Sequence, residues 1–135
     1  MPARPHLTDG DYERLLAFRT ELRRFLQWSE QQAHREGLTP AQHQLLLAIR
    51  GSRHPLGPTI GDVADSLLLR HHSVVGLVDR AAAAGSVERH QDPDDHRIVR
   101  LTLTAAAAKK LARLSLRHME ELEVLRNGLR GITTR

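Results

Sequence analysis

The apolar positions along this chain fall into repeats that predict five helices and one hairpin. From Asp11 to Glu36, residues Leu15, Phe18, Leu22, Phe25 and Ser29 recur at helical spacing, with Leu26 beside them. Arg19, Arg23, Arg24 and Glu30 lie off that seam, and Gly37 is a natural stop. Met1 to Gly10 is expected to form a loose arm. Thr39-Pro40-Ala41-Gln42 starts the next helix, with Thr39 as cap, Pro40 at the first helical position and Gln42 closing a capping box. Leu45, Leu46, Ala48 and Ile49 give it a buried face, and Gly51 ends it. Ser52 to Pro58 is a loop on its Pro and Gly content.

Thr59-Ile60-Gly61-Asp62 repeats the capping pattern, and Ile60, Val63, Ala64 and Leu67 follow at helical spacing. A turn over Leu68 to Arg70 leads into a helix from His71 to Ala84, ended by Gly85. Val74, Leu77, Val78 and Ala81 are its buried stripe; His72, Gly76, Asp79 and Ala83 face the other way, flanked by Val75 and Arg80. Two strands then follow, Ser86–His90 and Arg97–Leu103. In the second, Val99, Leu101 and Leu103 alternate with Arg100 and Thr102. Asp92-Pro93-Asp94-Asp95 is the turn. Arg89, Arg97 and Arg100 are expected to stand around Asp92, Asp94 and Asp95. Thr104 caps a last helix running to about Asn127, with Leu111, Leu114, His118, Leu122, Leu125 and Leu129 as a heptad-like seam. It would be roughly 35 Å long.

A helix pair followed by a basic hairpin is how a winged helix-turn-helix meets DNA, one element in the major groove and the other at the minor groove or phosphates. The expected class is therefore mainly α with a small β-hairpin. Residues 1–135 form one domain. Within it, residues 11–36 and 104–130 are dimerisation helices, and residues 39–103 are a DNA-binding lobe whose wing is 86–103. The two long seams cannot both be buried in so small a unit, so pairing with a second copy is expected.

Composition adjusts this picture little. The chain of 135 residues is 40% apolar but only 3% aromatic, so its core is aliphatic and suits packed helices. There are no cysteines, which excludes disulfides, thiolate metal sites and thiol redox sensing. A net charge of +4 weakly favours a polyanionic partner. No apolar run is long enough for a membrane span and no signal-peptide core is present, so a cytoplasmic location is expected.

At this point the sequence resembles the MarR family of bacterial transcriptional regulators. The residues that carry the likeness are L77-V78-D79-R80, G85-S86-V87-E88-R89, D92-P93-D94-D95-H96-R97 and L101-T102-L103-T104. The family's wing pattern Asp-x-Arg-x-x-Arg is met by Asp95, Arg97 and Arg100. The resemblance implies a dimeric winged helix on pseudo-palindromic duplex operators, often a repressor released by a small aromatic or phenolic ligand. Three positions depart from the pattern. Val75-Gly76 stand where many members have Thr-Arg, and His96 stands for the first Arg of the wing. The chain also stops at Arg135, where a further helix is usual.

The candidate DNA-contacting set is Arg70, His71, His72, Ser73, Val75, Gly76 and Arg80, with Asp95, His96, Arg97 and Arg100 on the wing. Arg97 suits a narrow, electronegative minor groove, and Asp95 can aim it through a charge-assisted pair. The bland alternative is an exposed turn ion pair worth about 0–1 kcal/mol. Arg100 can brace Asp95 or touch phosphate. His71, His72 and Ser73 open a helix whose amides favour phosphate, and His72 is the better base-edge candidate. Val75 can meet a thymine methyl or pack beside Val74. Arg80 can reach phosphate or pair with Asp79. Arg53 and His54 are solvated charges by default.

Tyr12, Phe18, Phe25 and Trp28 are all of the aromatic residues, and all fall in the first helix. Phe18 and Phe25 read as packing; Tyr12 and Trp28 are the ligand candidates. A metal at His71 and His72 is disfavoured because helical neighbours diverge by about 100°. Asp92, Asp94 and Asp95 lack the glycine and closing glutamate of a calcium loop. No nucleophile, phosphate-loop or zinc-protease motif is present, so neither a cofactor nor an enzyme is expected. The rival reading is a winged-helix protein-interaction module or anti-repressor that does not bind DNA.

Overall fold

In a computed structural model that describes residues 6–133, the elements follow in the expected order. They are α1 (Asp9–Arg35), α2 (Pro40–Arg50), α3 (Ile60–Leu67), α4 (His71–Ala83), β1 (Val87–Gln91), β2 (Val99–Leu103) and α5 (Ala105–Thr133). The class is mainly α, with β1 and β2 as an antiparallel hairpin.

The ends of elements differ from expectation for identifiable reasons. The Thr8 hydroxyl accepts from the Asp11 amide at 3.2 Å, and the Asp11 carboxylate accepts from the Thr8 amide at 2.9 Å. This capping box starts α1 at Asp9, inside the arm expected over Met1 to Gly10; residues 1–5 of that arm lie outside the described residues. Ser86 is not a strand residue, because its amide caps α4 by donating to the Ala81 carbonyl at 2.9 Å. Arg97 and Ile98 are likewise turn rather than strand, with the Ile98 amide donating to the Asp95 carbonyl at 3.0 Å. α5 passes through Gly128 and Gly131 instead of ending near Asn127. At Gly128 a Cβ would stand 2.8 Å from Glu21 Oε2, so the Glu21 side chain of α1 lies over the bare backbone of α5 there.

α1 and α5 run antiparallel. Arg14 Nε donates to the Ile132 carbonyl at one end, Ser29 bonds His118 midway, and Arg113 and Arg117 donate to Glu36 at the other. The apolar core lies mainly beyond them, where Leu45 and Leu46 of α2, Val63 of α3, Val74 and Val78 of α4, Leu101 of β2 and Leu114 of α5 are fully buried. Each such side chain contributes about 1.5–3 kcal/mol of burial.

The loop before α3 joins the hairpin as a third rank. The Leu101 amide donates to the Pro58 carbonyl at 2.9 Å. Gly57 makes this possible: its φ is +95°, and a Cβ there would lie 2.0 Å from the Leu101 carbonyl oxygen.

Candidate nucleic-acid interface

α3 and α4 are joined by a tight turn in which Leu68 takes a left-handed conformation, φ 56°. The Leu69 amide closes the turn on the Ala64 carbonyl at 3.0 Å, as the Ser86 amide does on Ala81 after Gly85. Leu68 thus does a glycine's work at some conformational cost, and its side chain is 91% exposed.

α1, α2 and α3 all begin with a capping box, from Thr8, Thr39 and Thr59 respectively. α4 begins at Arg70 with no side-chain cap. The Ser73 amide donates to the Arg70 carbonyl at 3.1 Å, which leaves the His71 and His72 amides to water or to an anion, in the positive end of the helix dipole. Arg70, His71, His72 and Ser73 are all exposed around that end, whereas Val75 and Gly76 are half-buried. Asp79 is paired with Arg89 of β1, which ties the hairpin to α4. Arg89 accordingly does not join the acids of the turn as expected, and Asp79 is not the partner of Arg80.

The wing is built on Asp92, which is buried. Its Oδ1 accepts from the Asp94 and Asp95 amides at 2.8 and 3.1 Å, and its Oδ2 accepts from Arg100 Nε at 3.0 Å. The Asp94 amide, Arg100 and the Asp95 amide hold its carboxyl below the usual range. Arg100 also donates to the Gly57 carbonyl at 3.3 Å, and its side chain is only 13% exposed. Contrary to the expectation that Arg100 braces Asp95 or reaches phosphate, it braces Asp92 and the loop before α3. Register brings this about: Arg100 pairs with His90, one step from the turn end of the hairpin, and so lies close to Asp92, which directly follows β1.

Asp95 is committed to Arg97. Arg97 Nε and Nη2 donate to its two carboxylate oxygens at 3.1 and 3.0 Å, and the Arg97 amide donates to Oδ1 at 3.0 Å. The Arg97 side chain and amide lower the Asp95 pKa, and Asp95 in turn raises that of Arg97. The Arg97 side chain remains 90% exposed, with His96 exposed beside it. A bidentate pair fixes direction as well as charge. The wing therefore presents the oriented guanidinium of Arg97 on a base braced by Arg100.

The two ligand candidates are not brought together. Tyr12 is exposed near the start of α1, and Trp28 lies 16 residues on, about 24 Å along the helix. Trp28 packs edge-on against His118 at 4.8 Å between ring centroids, with Phe25 and His43 also around that ring. The His118 Nδ1–H donates to the Leu114 carbonyl at 2.8 Å, so Nε2 accepts from the Ser29 hydroxyl at 2.7 Å. Nearby, Leu26, Ser29, Glu30, Pro40, His43 and Gln44 line a cavity of about 150 Å³. Sequence reasoning missed this histidine pair, which meets only when α2 and α5 pack. Among the described residues, no group of three or more His, Asp and Glu could hold a metal ion, and no helix is long and apolar enough to cross a membrane.

A tightly joined helix pair, its second helix exposed at the N-terminus, and a braced hairpin define a winged helix-turn-helix protein. Residues 36–98 match the model of the MarR family. No curated protein matches the sequence. The fold is similar to a crystal structure of a MarR family transcription regulator, at TM-score 0.75 and 23% identity over 89% of this chain and 78% of that one. It is also similar to S. aureus MepR in a DNA complex, at TM-score 0.70 and 19% identity, covering 80% and 76% of the two chains. A third likeness is to Bordetella bronchiseptica BpsR, described with regulation of its DNA binding by 6-hydroxynicotinic acid. There the TM-score is 0.64 and identity 22%, covering 93% and 84%. Over residues 36–98 the sequence is similar to the MarR family, and its fold is shared with MarR family regulators.

Proposed function

We propose that this protein is a sequence-specific, DNA-binding transcription regulator that acts as a homodimer on pseudo-palindromic duplex sites. The observation that carries the reading is Arg97: an exposed guanidinium held in one direction by Asp95, on a wing whose base is locked by the buried Arg100–Asp92 pair. That arrangement suits insertion into a narrow minor groove. The uncapped start of α4 suits phosphate, and the exposure of His72 in its first turn supports a base-edge role for that residue. A repressor role, released by a small aromatic ligand, is the finer part of the proposal. It is supported by the likeness to BpsR and by the cavity between α1 and α2 near Trp28; Tyr12 of the same protomer is too distant to share it.

Binding to a selected duplex should weaken steeply as salt rises, because counterions are released with each phosphate neutralised. Arg97→Ala should lower affinity and flatten that slope, by roughly 0.9 for each phosphate that is no longer neutralised. A wild-type protein with no salt-sensitive affinity for any duplex would overturn the reading in favour of a protein-interaction module.

A further inference from the structure

We propose that Arg80 reads a base edge in the major groove, and that Gly76 is the slot in α4 that seats its guanidinium. This inference rests on the DNA-binding reading above and assigns a specificity residue within it. Gly76 lies in the interior of α4, where glycine costs about 1 kcal/mol relative to alanine. Its backbone is ordinary helix, so no unusual dihedral demands a glycine. Packing does not demand one either. Among the described residues, the sole neighbour that a Cβ at Gly76 would meet within 4 Å is Arg80 Nη1, at 3.4 Å. The surface over Gly76 is thus bounded, apart from the helix's own backbone, by the Arg80 guanidinium, which a side chain longer than a methyl would displace.

Side chains on a helix lean toward its N-terminus and overlie the preceding turn. Arg80 follows this rule and lays its guanidinium beside Gly76, one turn nearer the start of α4. His72, Gly76 and Arg80 form one stripe at successive helical turns, on the side away from buried Val74, Leu77, Val78 and Ala81. The neighbouring acid, Asp79, is held by Arg89, so Arg80 is not drawn to it. Arg80 is exposed, with the planar fork that fits guanine O6 and N7. The bare backbone at Gly76 lets the helix approach the groove floor more closely than a side chain would. The guanidinium from Arg80 then fills the place where a residue at 76 would have read.

The test is selection from a random duplex library with the full chain, as wild type, Arg80→Ala, Arg80→Lys and Gly76→Leu, each checked for an unchanged helical spectrum and melting temperature. The wild type should select a G·C pair at one position per half-site. Arg80→Ala should lose that preference, with roughly tenfold or greater loss on the selected site. Its affinity for unrelated duplex should change little. Arg80→Lys keeps the charge but not the fork, and should lose the same preference. Gly76→Leu should displace the guanidinium and reproduce the loss. If Arg80→Lys selects the wild-type sequence, or Arg80→Ala weakens all sequences equally, Arg80 is a phosphate contact and the proposal is overturned. If the wild type binds duplex but selects no sequence, the base-reading role fails while DNA binding stands. If it binds no duplex at all, the parent reading fails with it.

Discussion

The lobe from α2 to β2 and the two terminal helices treat their apolar residues in opposite ways. In the lobe, Leu45, Leu46, Val63, Val74, Val78 and Leu101 are fully buried within the protomer. On α1 and α5, the inward seams meet, but Leu15 and Leu16 of α1 and Leu122 and Val124 of α5 stay open to solvent, Leu16 at 65%. Single exposed leucines need no explanation, but rows of them on two adjacent long helices do. The lobe's core is closed within the protomer, completed by Ala33 of α1 and Leu111 and Leu114 of α5, whereas the outer faces of the two helices carry exposed apolar surface. Stability of the first region should therefore be independent of protein concentration, and order in the second should not.

Gly57→Ala should have the largest effect, and it should fall on the lobe. The new Cβ meets the Leu101 carbonyl, and the residue must hold a left-handed φ. The loop would have to leave β2, taking with it the carbonyl that accepts from Arg100. The expected loss is on the order of 4 kcal/mol in chemical unfolding, at the severe end for one substitution. A loss under about 1 kcal/mol would mean that the third rank of the sheet is dispensable.

Next in size is the double change Leu122→Gln and Leu125→Gln on α5. Leu122 is exposed and Leu125 half-buried, so the fold of the lobe should survive. The expected outcome is a shift from dimer to monomer in sedimentation, with the melting temperature losing its dependence on protein concentration. An unchanged dimer mass would place the interface elsewhere and dissolve the contrast between the two regions.

Much of this contrast is legible in the sequence, because helical periodicity and capping are local. Thr39 with Gln42 and Thr59 with Asp62 mark α2 and α3 without any knowledge of packing. Thr8 with Asp11 carries the same signal, but Gly10 and the polar residues before it suggest an arm. The left-handed turn at Leu68 has no local mark, since leucine disfavours that conformation. The roles of the wing arginines are not local at all. Arg100 is turned inward by Asp92 and by a carbonyl 43 residues away, whereas Arg97 is turned outward by a carboxylate two residues before it. Alternation along the strand could identify both as polar but could not separate their partners. Tyr12 and Trp28 fail as a shared pocket for a plainer reason, the length of helix between them.

The smallest effect expected is at the seam between the two regions, where His43 of α2 meets His118 of α5, their ring centroids 4.9 Å apart. Burial lowers the His43 pKa from its reference of 6.5, and repulsion from His118 adds to it. The folded chain thus binds this proton less readily than the unfolded chain. Stability from His43 is intact above about pH 6.5, declines as pH falls below it, and levels off once the folded form also takes up the proton. The carboxylates work in a separate window. Asp92, Asp95 and Glu36 have depressed pKa values, so the stability they add is present above their ordinary range near 3.8 to 4.5 and is lost only in stronger acid. Unfolding free energies measured between pH 8 and pH 5.5 should therefore fall more for the wild type than for His43→Gln. Parallel profiles for the two proteins would show that His43 takes up its proton at no cost to the fold. The junction between lobe and helices would then not respond to acid through this pair.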